Sequence, residues 1–216
     1  MESYLDLKKI ERKAWISYFQ DGFWDIYLGL LLLLTSIPDI FDEQLSSKTW
    51  RLAAYAVAII FSFLILWYGK KLITLRRMGH AKFGPSRKKR QKKTIMVYSL
   101  SAVFGTIFFF TVLLAKRNIL GLGFILEKDS FVPLMMLIWF TFVSWLAAYL
   151  MDFNRLYIHG LIYALSFSGA LYFRTPILFF AGGSLIFLTG CFYFVRFIKM
   201  HPVPAHTDPA LRGENK

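Results

Sequence analysis

Five stretches of the chain run without a charged residue: Leu52 to Gly69, Thr94 to Ala115, Ser130 to Met151, Leu156 to Phe173 and Thr175 to Val195. A bilayer core of roughly 30 Å needs about 20 helical residues, so each stretch reads as a membrane-spanning helix. A sixth apolar run, Ile26 to Pro38, reaches only about 20 Å as a helix. A span there has to extend back through Asp25 towards Asp21, or onwards past Asp39. The pattern predicts an all-α protein, an integral membrane bundle of six helices at 21–40, 52–69, 94–115, 130–151, 156–173 and 175–195. These form one domain, 21–200.

Composition supports that reading. The chain of 216 residues is 56% hydrophobic and carries 23 Phe, 11 Tyr and 6 Trp. Soluble domains are about 45–50% apolar, and the excess here is arranged in blocks. The first block begins more than twenty residues in and lacks a small-residue cleavage pattern, so it reads as a retained span and not a removed signal peptide. The lone cysteine, Cys191, excludes a disulfide framework or a multi-cysteine metal site within one chain.

Charge adds sidedness. Lys and Arg number 26 against 13 Asp and Glu. With six spans and an inside N-terminus, 20 of the basic residues fall on the inner side and 6 on the outer. Basic residues near span ends are retained in the cytoplasm, which predicts both termini inside.

Outside the spans, Leu7, Ile10, Ala14 and Tyr18 recur at helical spacing among Lys8, Lys9, Arg12 and Lys13, with Ser3 as a candidate N-cap. Residues 1–20 read as an interfacial amphipathic helix, with Trp15, Tyr18 and Phe19 as interface-seeking residues. The alternative is a solvated helix that only supplies topogenic charge. The stretch 119–126 is too short to span and is expected on or in the outer interface. The proline-bearing tail 201–216 is expected to be disordered and cytoplasmic. An inverted three-plus-three repeat has only the paired starts Arg51-Leu52 and Arg155-Leu156 in its favour.

The ionisable residues near the apolar boundary gather at one membrane face. Asp21 and Asp25 are four apart on one expected helix face, and Arg155 and His159 share another. Asp152, Arg155 and His159 lie at the hairpin between the fourth and fifth spans. An unpaired carboxylate at the membrane boundary is costly, so Asp25 should be paired, with Arg155 or His159, or else protonated. Such a cluster is either a functional site or a structural ion pair that fixes the bundle. Gly160, Ala164 and Ser168 offer a smooth face on the same fifth span, suited to intramolecular packing.

The segment 70–93 reads as a basic cytoplasmic loop. Its eleven basic residues are Lys70, Lys71, Arg76, Arg77, Lys82, Arg87, Lys88, Lys89, Arg90, Lys92 and Lys93, with no acidic residue among them. Such a segment attracts anionic headgroups at about 1 kcal/mol per basic residue close to the surface. Alternatively it serves topology alone. Aromatic interleaving is limited to Phe83, which disfavours nucleic acid.

Catalytic motifs are missing: no phosphate loop, no G-x-S-x-G elbow, no zinc-protease helix. Asp21-Gly22 is similar to the opening of the CDP-alcohol phosphotransferase motif, but the rest of that motif is missing. Gly84-Pro85-Ser86 with His80 does not make the element of membrane-bound phosphatidic acid phosphatases. No cofactor and no metal is implied. The stretch Asp21-Gly22-Phe23-Trp24-Asp25-Ile26-Tyr27-Leu28-Gly29-Leu30 and the segment Arg77 to Gly84 resemble segments of small, uncharacterised bacterial polytopic inner-membrane proteins. In that family a Gly-Tyr pair often stands where this chain has Gly79-His80. The resemblance covers about thirty residues and implies a bacterial cytoplasmic membrane and a purpose for Asp21, Asp25 and the basic loop. It brings no activity.

These features together predict a non-enzymatic transport component or accessory subunit. Its expected partners are anionic membrane lipids, with a membrane protein or a second copy of itself as further candidates. The alternative is a lipid-modifying enzyme at the cytoplasmic interface, with Asp25 or His159 in proton transfer and Arg155 holding a phosphate.

Overall fold

The computed structural model describes residues 9, 11–12, 15–40, 48–78, 84–116 and 130–202. Among them six helices are long and apolar enough to cross a membrane, and no strand occurs. They are α1 (Phe23–Ile40), α2 (Lys48–Gly69), α3 (Pro85–Lys116), α4 (Phe131–Met151), α5 (Arg155–Phe173) and α6 (Ile177–Met200). The sequence-based expectations for 1–8, 10 and 13–14 of the amphipathic helix, for 41–47, 79–83 (including Lys82), the stretch 119–126 and the tail beyond residue 202 lie outside the described residues.

The short first run becomes a helix of 18 residues, about 27 Å, by taking in Asp25 at one end and Asp39 at the other. Tyr55 of α2 donates its hydroxyl to Asp39. The second span departs further from expectation. At Gly69 the helix continues through a π-helical turn, Lys70–Thr74, and a last α-turn, Leu75–Met78. Residues 70–78 and 85–93 of the basic segment, expected as a loop, are therefore helical. Lys70 does not end the helix because its side chain turns inward onto a carboxylate. α3 starts at Pro85, whose missing N–H costs nothing at a first helical position.

The helices pack in the spatial order α2, α1, α6, α5, α4, α3. The α1–α6 contact is made possible by glycines. A Cβ on Gly190 would lie 2.6 Å from the Ile26 amide nitrogen, and one on Gly183 would lie 2.7 Å from that of Leu33. Backbones can approach this closely only where side chains are absent. On α5, Gly160 packs against Ser144 of α4, and Ala164 and Ser168 are buried. Large apolar residues such as Ile60, Phe63, Ile95 and Phe142 point outward, as the lipid-facing surface of a bundle requires.

The described part of the N-terminal segment is held by the protein itself. Trp15 and Phe19, expected at the lipid interface, are buried against Ala147, Ala148, Phe153 and Leu156. The Trp15 indole donates to the Met151 carbonyl at 2.6 Å, and Glu11 accepts the Gly84 amide at 2.9 Å. This segment closes one pole of the bundle. There α1 and α5 begin, α4 and α6 end, and the basic stretches of α2 and α3 converge.

Candidate functional site

At this basic pole two buried carboxylates are each answered by a cation. Asp21 precedes α1 in a turn completed by Gly22, whose φ of 77° is left-handed backbone that suits glycine. Its Oδ1 accepts the Phe23 amide at 3.2 Å, satisfying one free donor of the α1 N-terminus. Its Oδ2 accepts from the Thr74 hydroxyl at 2.8 Å and lies 3.0 Å from Lys70 Nζ. Lys70 also donates to the Tyr18 carbonyl at 2.8 Å and sits over the Tyr18 ring at 3.7 Å. Burial, then the nearby Asp21 charge, push the Tyr18 phenol above its usual range, so it stays neutral. The π turn of α2 thus carries both side chains that hold Asp21, in keeping with the association of such turns with special sites.

Asp25, one turn into α1, is fully buried. Its Oδ1 lies 3.0 Å from His159 Nδ1, and its Oδ2 lies 2.9 Å from Arg155 Nη1. The guanidinium contact is close but poorly aligned, so neither atom of that pair completes a hydrogen bond among the described residues. Arg155 also donates Nη2 to the Phe19 carbonyl and stacks on Tyr193, its Cζ 3.9 Å from the ring centre. On the far side of the imidazole, the Thr189 hydroxyl lies 3.3 Å from Nε2 and donates to the Ile186 carbonyl at 2.7 Å. Two carboxylates balanced by Lys70 and Arg155 make the cluster tolerable in a poorly solvated place.

The structure brings Asp25, Arg155 and His159 together and places Asp21 beside them on different partners. Asp152 belongs elsewhere. It caps α4 in left-handed backbone, φ 53°, and its carboxylate takes Arg87 and Arg90 of α3. Lys70, expected at anionic headgroups, is instead on Asp21, and nothing in the sequence marks Thr74 or Thr189. Lysines at span ends ordinarily reach for headgroups, and nothing in the spacing marks a π turn.

The ten described basic residues of 70–93 divide by environment. Lys70 is in the buried cluster. Arg77 donates to the Ile198 and His201 carbonyls at 3.3 and 2.5 Å, where the α6 C-terminus attracts a cation. Arg87 and Arg90 bind Asp152. Lys71, Arg76, Lys88, Lys89, Lys92 and Lys93 are exposed.

Three cavities adjoin the cluster. One of about 340 Å³ at the pole is bordered by Arg12, Arg155, Arg196, Asp152 and Tyr193. A second of about 320 Å³ lies between the N-terminal segment and α3, beside Gln91 and Thr94. A third, about 380 Å³, lies deeper among α1, α3, α4 and α5 and is mostly apolar, with His159 in its wall. No group of three His, Cys, Asp or Glu among the described residues is placed to hold a metal. Comparison with protein families, with curated proteins and with solved structures finds no match to this chain.

Proposed function

We propose that the protein is a non-enzymatic component of a bacterial cytoplasmic membrane, a transport component or accessory subunit, whose basic pole and both termini face the cytoplasm and bind anionic lipid. One observation carries this reading: Lys88, Lys89, Lys92 and Lys93 stand exposed on the first turns of α3, beside a concave pole bordered by Arg12, Arg155 and Arg196. The positive side chains that remain at the surface surround the membrane boundary, where each contributes about 1 kcal/mol towards an anionic leaflet. The buried cluster then serves as the keystone of that pole. It spends its charges on itself and holds the N-terminal segment, α1, α2 and α5 in register.

The test is lipid selection. The protein released from nanodiscs of mixed phosphatidylglycerol and phosphatidylcholine should carry phosphatidylglycerol in excess by native mass spectrometry. Reversing Lys88, Lys89, Lys92 and Lys93 to Glu should abolish the excess. Equal retention of both lipids by the unaltered protein would remove the proposal.

The lipid-modifying reading draws support from a different observation. His159 borders the apolar cavity while Asp25 holds its Nδ1, an arrangement that suits proton transfer. Turnover of a phospholipid that is lost in His159→Gln but kept in the α3 charge variant would favour it.

A further inference from the structure

The two cavities beside α3 are not separate in their walls. Trp24, Tyr98 and Met151 border both. Laid end to end along α3 with those three side chains as a common wall, the two cavities form a grooved face from Gln91, near the basic pole, to Ser101, about 15 Å along the helix. The mouth is polar, with Gln91 exposed between Arg90 and Lys92 and with Thr94 just below. Deeper, the walls become Leu28, Leu31, Phe140 and Val143. This gradient from charge through amide and hydroxyl to hydrocarbon is the profile of a membrane lipid. At the junction, the Trp24 indole N–H is buried and has no hydrogen-bond partner among the described residues. A buried donor left unpaired costs about 1–3 kcal/mol, so a ligand acceptor at that level would be stabilising.

We propose that this groove seats one acyl chain of a glycerolipid, with the Trp24 indole turning into the groove so that its Nε1 donates to the ester carbonyl, and with the headgroup at the lysines of α3. The proposal rests on the anionic-lipid reading only for the sign of the headgroup. A compact polar solute would leave the apolar floor unfilled. A hydrocarbon without a carbonyl would leave the indole unpaired.

The test uses the full-length protein in nanodiscs containing equal amounts of diester phosphatidylglycerol and its chain-matched diether analogue. After transfer to detergent, native mass spectrometry should find one lipid per chain, with the ester form in several-fold excess. Trp24→Phe should equalise the two forms. Leu31→Trp, which fills the floor, should remove the bound lipid while elution volume and helical content stay unchanged. Should Leu31→Trp not fold, a benzophenone amino acid at Tyr163 should crosslink to the lipid tail in the detergent-exchanged protein. Equal retention of ester and ether lipid by the unaltered protein, undiminished lipid in a folded Leu31→Trp, or no crosslink from position 163 would each overturn the proposal. The headgroup reading fails separately: in nanodiscs of diester phosphatidylcholine and phosphatidylglycerol, a bound ester lipid with no anionic preference would sink that reading and keep the groove.

Discussion

His159 Nδ1 stands 3.0 Å from Asp25 Oδ1, with the carboxylate fully enclosed and the imidazole only 6% exposed. The two residues come from α1 and α5, helices separated in the packing order by α6, which contributes Thr189 to the other face of the ring. Three helices therefore meet on one imidazole. Arg155, one turn before His159, closes the same carboxylate from its second oxygen. With Asp25 common to both pairs, the site tolerates the loss of either partner better than the loss of the carboxylate itself.

That difference is measurable. Asp25→Ala strands Arg155 beside a poorly solvated space and should destabilise the bundle by about 3–5 kcal/mol. In a background already carrying Arg155→Met and His159→Phe, the same substitution should cost much less. Denaturant unfolding in detergent, followed by circular dichroism, reads the coupling. Effects that add within about 0.5 kcal/mol would contradict the contact.

Lys70 gives a second contrast, because a headgroup-binding lysine and a cluster lysine fail differently. Lys70→Met should lower stability with little change in binding to anionic vesicles, since its ammonium is spent on Asp21 and the Tyr18 carbonyl. Lys88→Met should lower vesicle binding slightly and leave stability unchanged. The reverse pattern would return Lys70 to the membrane surface.

The glycine seam between α1 and α6 predicts a steep steric response. Gly190→Leu has to displace the α1 backbone at Asp25 and Ile26, so it should disturb both helix packing and the carboxylate site. Gly105→Ala on α3 meets nothing within 4 Å and should be neutral, or stabilising by about 0.5–1 kcal/mol through helix propensity. Thermal unfolding of the two variants side by side would check this. Equal tolerance at both positions would contradict the close α1–α6 approach.

The orientation is tested by labelling. In a Cys191→Ser background, Lys89→Cys on the first turns of α3 and Thr175→Cys between α5 and α6 lie at opposite poles. A membrane-impermeant maleimide added to intact cells should modify only Thr175→Cys. Modification of Lys89→Cys alone would invert the proposed topology.

The number of long apolar helices was legible in the sequence because the cost of placing charge in hydrocarbon is local. It is read off each run of residues without knowing any neighbour. The same argument singled out Asp25, since a run that begins only at Ile26 is too short to span, and it narrowed the partners to ionisable groups at the same helix ends. Which partner each charge takes was decided by tertiary structure. Asp152 lies in the hairpin with Arg155 yet binds Arg87 and Arg90, because left-handed backbone at the end of α4 presents its carboxylate to α3. Lys70 ends a charge-free run and has the appearance of a surface residue, but a π turn rotates it and Thr74 onto Asp21. Trp15 and Phe19 similarly exchange the lipid interface for a protein one, because the ends of α4 and α5 offer them an apolar surface. Hydrophobic segregation acts residue by residue. The pairing of charges depends on helix rotation and on how closely glycines let backbones approach, and both are properties of the assembled bundle.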